Sequence, residues 1–444
     1  MAHSSQGQLI LMEEFQGDRS TELNHNGTED AVQRSLPPTD GGRDAWLVLA
    51  ACSITEALIW GFPFAFGVFQ EYYSNLEQFS KNSHHLAAIG TTATGVMYIT
   101  APIVYGILRR YPYYRKAISA IGFIIVVVSL VSASFANTVS QLLATQGILY
   151  AFGGSLHYFP AFLYLDEWFV KRRGLAYGIF IAGGGASGIV VPFLMEWILH
   201  HWGFRTALRV WAIICIVITV PAFVALKPHP ASIHSQRVGQ KLDFRFLKSP
   251  AFWILFMGNI VQSLGYFMPL LYMPSFAAAQ GWSHLTGTIA ISLCNGASVI
   301  GASFVGWLID RYHVTTAINF CTIGTVVAVF MFWSFALYQP LFFIFAISYG
   351  LFAGGFSATW SGCSNPIRRG YPVETGMVIS LFTAGKGIGS VISGPLSAIL
   401  VTSDSWRSQL RFAYGSGYGL LIIFTGITAS FASVGWVGKK FGLV

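Results

Sequence analysis

AISAIGFIIVVVSLVSASFA, residues 117–136, decides the fold: twenty consecutive residues without a charge, directly preceded by Arg115-Lys116. At 1.5 Å rise per residue this helix would be about 30 Å long, the thickness of a bilayer's hydrocarbon core. Similar apolar runs lie outward on both sides. Before and after it come 45–69, 86–108, 141–165, 174–199 and 206–226. A polar stretch follows, and then 251–275, 284–309, 314–337, 340–364, 374–401 and 412–438. The pattern predicts an all-α membrane protein with twelve transmembrane helices. Composition agrees, with 54% of residues hydrophobic, 10% charged and a mean hydropathy of +0.58. A water-soluble fold of this size would lack the surface charge to stay solvated.

The net charge of +8 might suggest nucleic acid, but its placement argues otherwise. The acidic residues concentrate in the first 44 positions, and residues 1–43 read as a disordered cytoplasmic tail. Beyond it, seventeen Lys and Arg fall in the loops of one face, among them Arg109, Arg110, Lys171, Arg172, Arg173 and Arg311, against five on the other. This asymmetry is the signature of membrane orientation, and it puts both termini in the cytosol. It also makes residues 227–249 a cytoplasmic central loop and 439–444 a short cytoplasmic tail. No cleavable signal peptide is visible, and the Asn26-Gly27-Thr28 sequon would face the cytosol in this topology.

The two halves repeat. Gly106-Ile-Leu108-Arg-Arg110-Tyr111 follows the second run as Gly306-Trp-Leu308-Ile-Asp310-Arg311 follows the eighth, offset by 200. Arg172-Arg173-Gly174 before the fifth matches Arg368-Arg369-Gly370 before the eleventh, offset 196. Arg205-Thr-Ala-Leu208-Arg209 matches Arg407-Ser-Gln-Leu410-Arg411, offset 202. Three marks at nearly one offset predict two pseudo-symmetric six-helix bundles, 44–226 and 250–438. Repeats of this kind typically hold a substrate near the bilayer midplane between them.

These residues resemble the major facilitator superfamily, whose Gly-x-Leu-x-Asp-Arg loop is matched by Gly306, Leu308, Asp310 and Arg311. There the glycine is expected to permit close helix approach and the charges to pair with a neighbouring helix end. The first-half copy departs from the pattern, with Arg110 in place of Asp and Tyr111 in place of Arg. Two further stretches are similar to the monocarboxylate-transporter branch, particularly its fungal members. One is Asp40-Gly41-Gly42-Arg-Asp-Ala45-Trp46, leading into the first span. The other is Trp168-Phe169-Val170-Lys171-Arg172-Arg173-Gly174-Leu175-Ala176-Tyr177-Gly178, before the fifth. The resemblance implies the major facilitator fold and alternating access. It does not carry over proton–lactate symport, because the Lys, Asp and Arg of that site fall here at Phe64, Ser298 and Ala302.

Charges at bilayer depth each ask for a reason, since a central Lys or Asp costs about 2.5–3.5 kcal/mol to insert. Lys386, in Gly385-Lys386-Gly387 midway along the eleventh span, is the leading substrate-binding candidate. Glu56 is the candidate partner or proton carrier. His157 is either a buried structural histidine or a proton relay. Phe64, Asn259, Gln262 and Asn295 complete the substrate-contact candidates, and Lys171, Arg172, Arg173, Gly306, Asp310 and Arg311 are the conformational ones. The glycine runs at 183–188 and 385–389 do not fit a phosphate loop, and Pro63, Pro102, Pro160, Pro192, Pro269 and Pro395 read as kinks. No catalytic, metal-ligand or cofactor motif occurs, and the five cysteines show no paired spacing.

The expectation is therefore a secondary active or facilitative transporter, not an enzyme, of a small organic acid or related metabolite. The alternative is efflux of a fungal secondary metabolite; a nutrient sensor is disfavoured by the short tails. The chain is expected to work as a monomer without cofactor or nucleic acid, with a proton as candidate co-substrate. The plasma membrane is its expected site, a vacuolar or other internal membrane the alternative.

Overall fold

The computed structural model describes residues 39–80, 85–170, 172–230, 243–371, 375–403 and 411–444. Most of the expected tail and central loop, Lys171 and the Arg173 side chain lie outside the described residues. No strand occurs among the described residues. Among these residues ten stretches are long and apolar enough to cross a membrane. One of them runs on through Gly203, whose φ of 76° only glycine adopts readily, so it is two helices meeting at a turn. With the continuous helix 139–168 the described residues form twelve. They are α1 (Gly42–Ser74), α2 (Leu86–Arg110), α3 (Pro112–Ala133), α4 (139–168), α5 (173–202) and α6 (204–225). The second set is α7 (Pro250–Ala279), α8 (His284–Arg311), α9 (Val314–Trp333), α10 (Gln339–Arg368), α11 (Gly376–Thr402) and α12 (Gly419–Lys440).

Side-chain size sorts the helix faces. On α3, Ile121, Ile124, Val128 and Val131 recur every three or four residues and are exposed, the stripe expected to meet lipid. Gly122 lies on the opposite face, where a Cβ would come within 2.6 Å of the His157 backbone nitrogen in α4. Small residues at such contacts let helices approach where lipid supplies no hydrophobic drive. In α1, by contrast, 67% of the most apolar window is buried, as befits a helix in the middle of the bundle.

The packing repeats with a step of six helices. Within the first half α1 packs on α5, α3 on α4 and α6, and α2 on α4; in the second, α7 packs on α11, α9 on α10 and α12, and α8 on α10. Between the halves the contacts are α2 with α11, α5 with α8 and α1 with α7. Exchanging the halves turns the first pair into the second and leaves the third unchanged, which is what a pseudo-two-fold relation requires. Both central helices also break at matching places. α1 is interrupted at Ala65, two residues after Pro63, and α7 at Phe267, two before Pro269. Two of the expected proline kinks thus mark the middle of the molecule.

Two seams join the halves. Along α2–α11, Thr94 Oγ1 and Ser390 Oγ lie 2.8 Å apart, and Ser390 Oγ donates to the Thr91 carbonyl at 3.0 Å. A Cβ on Gly387 would sit 2.5 Å from the Gly95 carbonyl oxygen, so the backbones touch. Along α5–α8, Asn295 Nδ2 donates to the Gly188 carbonyl at 3.0 Å and Ser292 Oγ to the Ile189 carbonyl at 3.0 Å. At the end of the bundle away from the termini, the far end, α1 closes on α7, where a Cβ on Gly67 would meet the Leu270 carbonyl at 2.6 Å.

The Gly-x-Leu-x-Asp-Arg loop differs from expectation. A Cβ on Gly306 would meet nothing within 4 Å, so that glycine supports no close approach here. Asp310 is exposed and pairs with no described residue, while Arg311 turns its guanidinium onto the Trp307 ring at 4.3 Å. In the arrangement seen, with the far end closed, the motif's Asp310 holds no other helix among the described residues.

Candidate functional site

Lys386 lies at the junction of three helices because of its neighbours. Gly385 faces α7, where a Cβ would come 2.7 Å from Phe256, and Gly387 faces the backbone of α2. The two glycines let α11 settle between α7 and α2, and the lysine is left only 2% exposed. Its Nζ donates to Ser357 Oγ at 2.7 Å. Four aromatic rings surround it: Tyr266 at 3.8 Å from Nζ to the ring centroid, Trp360 at 5.5 Å, Phe267 at 5.6 Å and Tyr98 at 5.7 Å. No carboxylate among the described residues pairs with it.

The cage is built from local irregularities. α10 passes from a π-helical turn at Gly350–Gly354 into a 3-10 turn at Phe356–Ala358, and this change of winding delivers Ser357 and then Trp360 to the lysine. Tyr266 and Phe267 sit at the break in α7. Asn259, one of the expected contacts, is committed to the cage wall: its Oδ1 accepts from Trp360 Nε1 at 3.0 Å and its Nδ2 donates to the Phe382 carbonyl at 2.8 Å. Gln262 lies on the same face of α7 as Asn259 and Tyr266, is 5% exposed, and its Oε1 has no partner.

The aromatic surface continues into the first half. Tyr98 and Phe267 meet at 6.3 Å across the halves, and Trp60 packs on Tyr98 at 4.7 Å, on Phe64 at 5.6 Å and on Tyr158 at 5.7 Å. Phe64 and Phe267 also line one small cavity of about 20 Å³ with Thr91 and Thr94. Glu56 stands one helical turn from Trp60 in α1, 7% exposed, beside Tyr158 and Tyr98, with Oε2 unpartnered. It reaches α5 at Gly184, where a Cβ would lie 3.1 Å from Oε1. Glu56 thus does not neutralise Lys386 as an ion-pair partner, and the two charges share an aromatic surface instead.

Two expected contacts lie elsewhere. His157 is 1% exposed, its Nδ1 bonds the Ser119 carbonyl at 2.9 Å, and its ring packs against Phe123 and Phe223, in the interior of α3, α4 and α6. Asn295 is occupied in the α5–α8 seam. Conversely, Trp60, Tyr98, Tyr158, Tyr266, Phe267, Ser357 and Trp360 carried no signal beyond a 16% aromatic content. They come from five helices, and only folding assembles them.

At the opposite end the two quoted motifs meet. Asp40, held at φ 63°, accepts at one carboxylate oxygen from the amides of Val170 at 2.9 Å and Arg172 at 2.6 Å, while its own N–H donates to the Trp168 carbonyl at 2.9 Å. Trp46 packs edge-on against Phe169 at 6.0 Å. Glu167 pairs with Arg115 and accepts from the His229 amide at 3.2 Å. The lead-in to α1 is therefore fastened to the α4–α5 loop by a carboxylate in an amide nest.

Comparison with known proteins agrees with this architecture. A family model described as the Major Facilitator Superfamily matches residues 45–365. The chain is 25% identical over 380 residues to the MFS-type transporter pynF of Aspergillus niger, covering 85% of this chain and 86% of that protein. It is 27% identical over 399 residues to the Fujikurins efflux protein of Gibberella fujikuroi, covering 88% and 84%. With the Probable transporter MCH2 of Saccharomyces cerevisiae the figures are 26% over 367 residues, 80% and 76%. In three dimensions it is similar to the nucleoside transporter NupG, at a TM-score of 0.67 and 13% identity over 90% of this chain and 100% of that one. The chain belongs to the Major Facilitator Superfamily and is a multi-pass membrane transporter.

Proposed function

We propose that this transporter exports a secondary metabolite that is largely apolar, carries an aromatic or other flat unsaturated system, and bears an acidic oxygen. The observation behind this reading is the cage: a lysine without a carboxylate, faced by four aromatic rings. A cation held only by π faces and one hydroxyl is left to pair with an anion from outside, and a charge-assisted bond at such a site contributes about 1.5–3 kcal/mol. The rings offer stacking surface that a two- or three-carbon acid cannot fill. The absence of the charged set found in lactate carriers, with Phe64, Ser298 and Ala302 in its place, and the similarity to a Gibberella efflux protein support the same reading.

Alternating access would move halves 44–226 and 250–438 about the α2–α11 and α5–α8 seams, with 227–249 as the connecting loop. Glu56 is the proposed proton site: buried, with a free oxygen, and joined to the lysine through Tyr98, it can lose its proton when an anion leaves. The loop charges favour cytoplasmic termini, export from the cell calls for the plasma membrane, and each chain holds a complete site, which suits a monomer. Deleting the gene in its native host should raise intracellular and lower extracellular levels of one metabolite. Wild type should restore export and Lys386→Met should not. Unchanged metabolite distribution on deletion would exclude this function.

A further inference from the structure

The far end of the α5–α8 seam holds four metal-ligating side chains that the cage does not use. Glu71 comes from α1, Glu196 and His200 from α5, and His284 from α8. His200 Nε2 lies 3.1 Å from Glu196 Oε1, and His284 Nδ1 lies 3.2 Å from Glu71 Oε1. The two imidazoles face each other with centroids 5.1 Å apart. Donor atoms of Glu71, His200 and His284 all lie within 4.8 Å of one another. We propose that these four residues form a zinc site that bridges the two halves when the far end is closed.

The geometry suits the ion. Zinc takes imidazole and carboxylate ligands at about 2.0–2.1 Å in a tetrahedron, whose edges are then about 3.3 Å. Two edges already have nearly that length, and rotation of exposed histidine rings can shorten the rest. The carboxylates are oriented by neighbours: Asn75 Nδ2 donates at 2.9 Å to Glu71 Oε1, the oxygen that also faces His284, and Thr288 Oγ1 donates at 3.3 Å to Glu196 Oε2, the oxygen that does not face His200. Such outer bonds orient metal ligands. A route in exists, because the side chains of His200 and His284 are 40% and 54% exposed. The neighbouring His201 turns its Nδ1 to the Trp197 carbonyl at 2.8 Å and is not part of the cluster. Three ligands belong to the first half and His284 to the second, so a bound ion would hold the halves together and favour the closed far end. That conformational consequence rests on the carrier reading; the binding does not.

Purified full-length protein would be titrated with zinc against a fluorescent zinc chelator. The expected result is one zinc per chain at micromolar affinity, weakened by more than about 100-fold in His200→Ala and His284→Ala, since outer-ligand losses alone cost 10–100-fold. His284→Cys should retain zinc through its thiolate, and His201→Ala should bind as wild type, which separates lost ligation from lost folding. Zinc bound equally by wild type and both alanine variants, or no zinc at all, would overturn the site. In liposomes, zinc on the far side should slow wild-type but not His284→Ala flux. Undiminished flux in zinc-loaded wild type would overturn the bridging role, while flux that depends on Lys386 keeps the carrier reading intact.

Discussion

Replacing Lys386 with Met keeps an unbranched side chain as long as the lysine's four-carbon stem and removes the ammonium, so it reads out what holds that charge. The variant loses the contact with Tyr266 at 3.8 Å, about 2 kcal/mol for a desolvated cation over a ring. It also loses the bond to Ser357, about 1.5–3 kcal/mol for a charged donor. Against this, the cost of keeping a lysine at mid-bilayer, about 2.5–3.5 kcal/mol, is relieved. The balance is a destabilisation of no more than about 2.5 kcal/mol, which is at most about three degrees in unfolding midpoint for a chain of this size. A lysine in a buried ion pair behaves differently, because its loss strands a carboxylate and costs about 3–5 kcal/mol. Thermal unfolding of purified wild type and variant, followed by tryptophan fluorescence, separates the two cases. A fall of about five degrees, near the upper end of that cost for a chain of this size, would reveal a carboxylate partner and refute the cage as the lysine's sole support.

Glu56→Gln should leave substrate affinity nearly intact while making transport insensitive to an imposed pH gradient, measured as initial rates at two gradients in liposomes. Asn259→Leu leaves Trp360 Nε1 unpartnered and takes from the Phe382 carbonyl its second donor, the helical bond along α11 remaining, so it should destabilise by about 1–3 kcal/mol, visible in thermal unfolding and in the near-ultraviolet signal of the released indole. Asp40→Ala removes two charge-assisted amide bonds and should cost about 2 kcal/mol, with faster proteolysis of the 168–173 loop as the direct readout. Gly387→Leu places a side chain where 2.5 Å separates a Cβ from the Gly95 carbonyl, and flux should fall below a tenth of wild type while expression persists.

The fold was legible because bilayer insertion demands length and apolarity, both of which are written locally. Stretches such as 117–136 needed no tertiary information, and the near-constant offset between motifs carried the pseudo-symmetry. Gly203 was not readable as the joint of α5 and α6, although the two apolar runs around it were. Lys386 stood out for the same local reason: a charge inside hydrocarbon is costly wherever it occurs. Its surroundings did not, since Tyr98, Tyr266 and Trp360 look like any aromatic residues in apolar helices until α2, α7 and α10 converge. Of the two readings of Glu56, ion-pair partner or proton carrier, the first followed charge alone and did not foresee the support that four rings supply. Gly306 and Asp310 matched a motif, yet matching residues need a neighbouring partner, and in the closed far-end arrangement they have none among the described residues.

The central claim is that a caged lysine binds an acidic, apolar cargo within a moving two-fold bundle. The most direct measurement is the flux of a weakly acidic aromatic probe into liposomes containing the purified protein, under a pH gradient, with wild type and Lys386→Met side by side. Saturable uptake by wild type, reduced about 10- to 150-fold in apparent affinity by the variant, is the expected result, from the 1.5–3 kcal/mol of one charge-assisted bond. Equal saturable uptake by both proteins would contradict it.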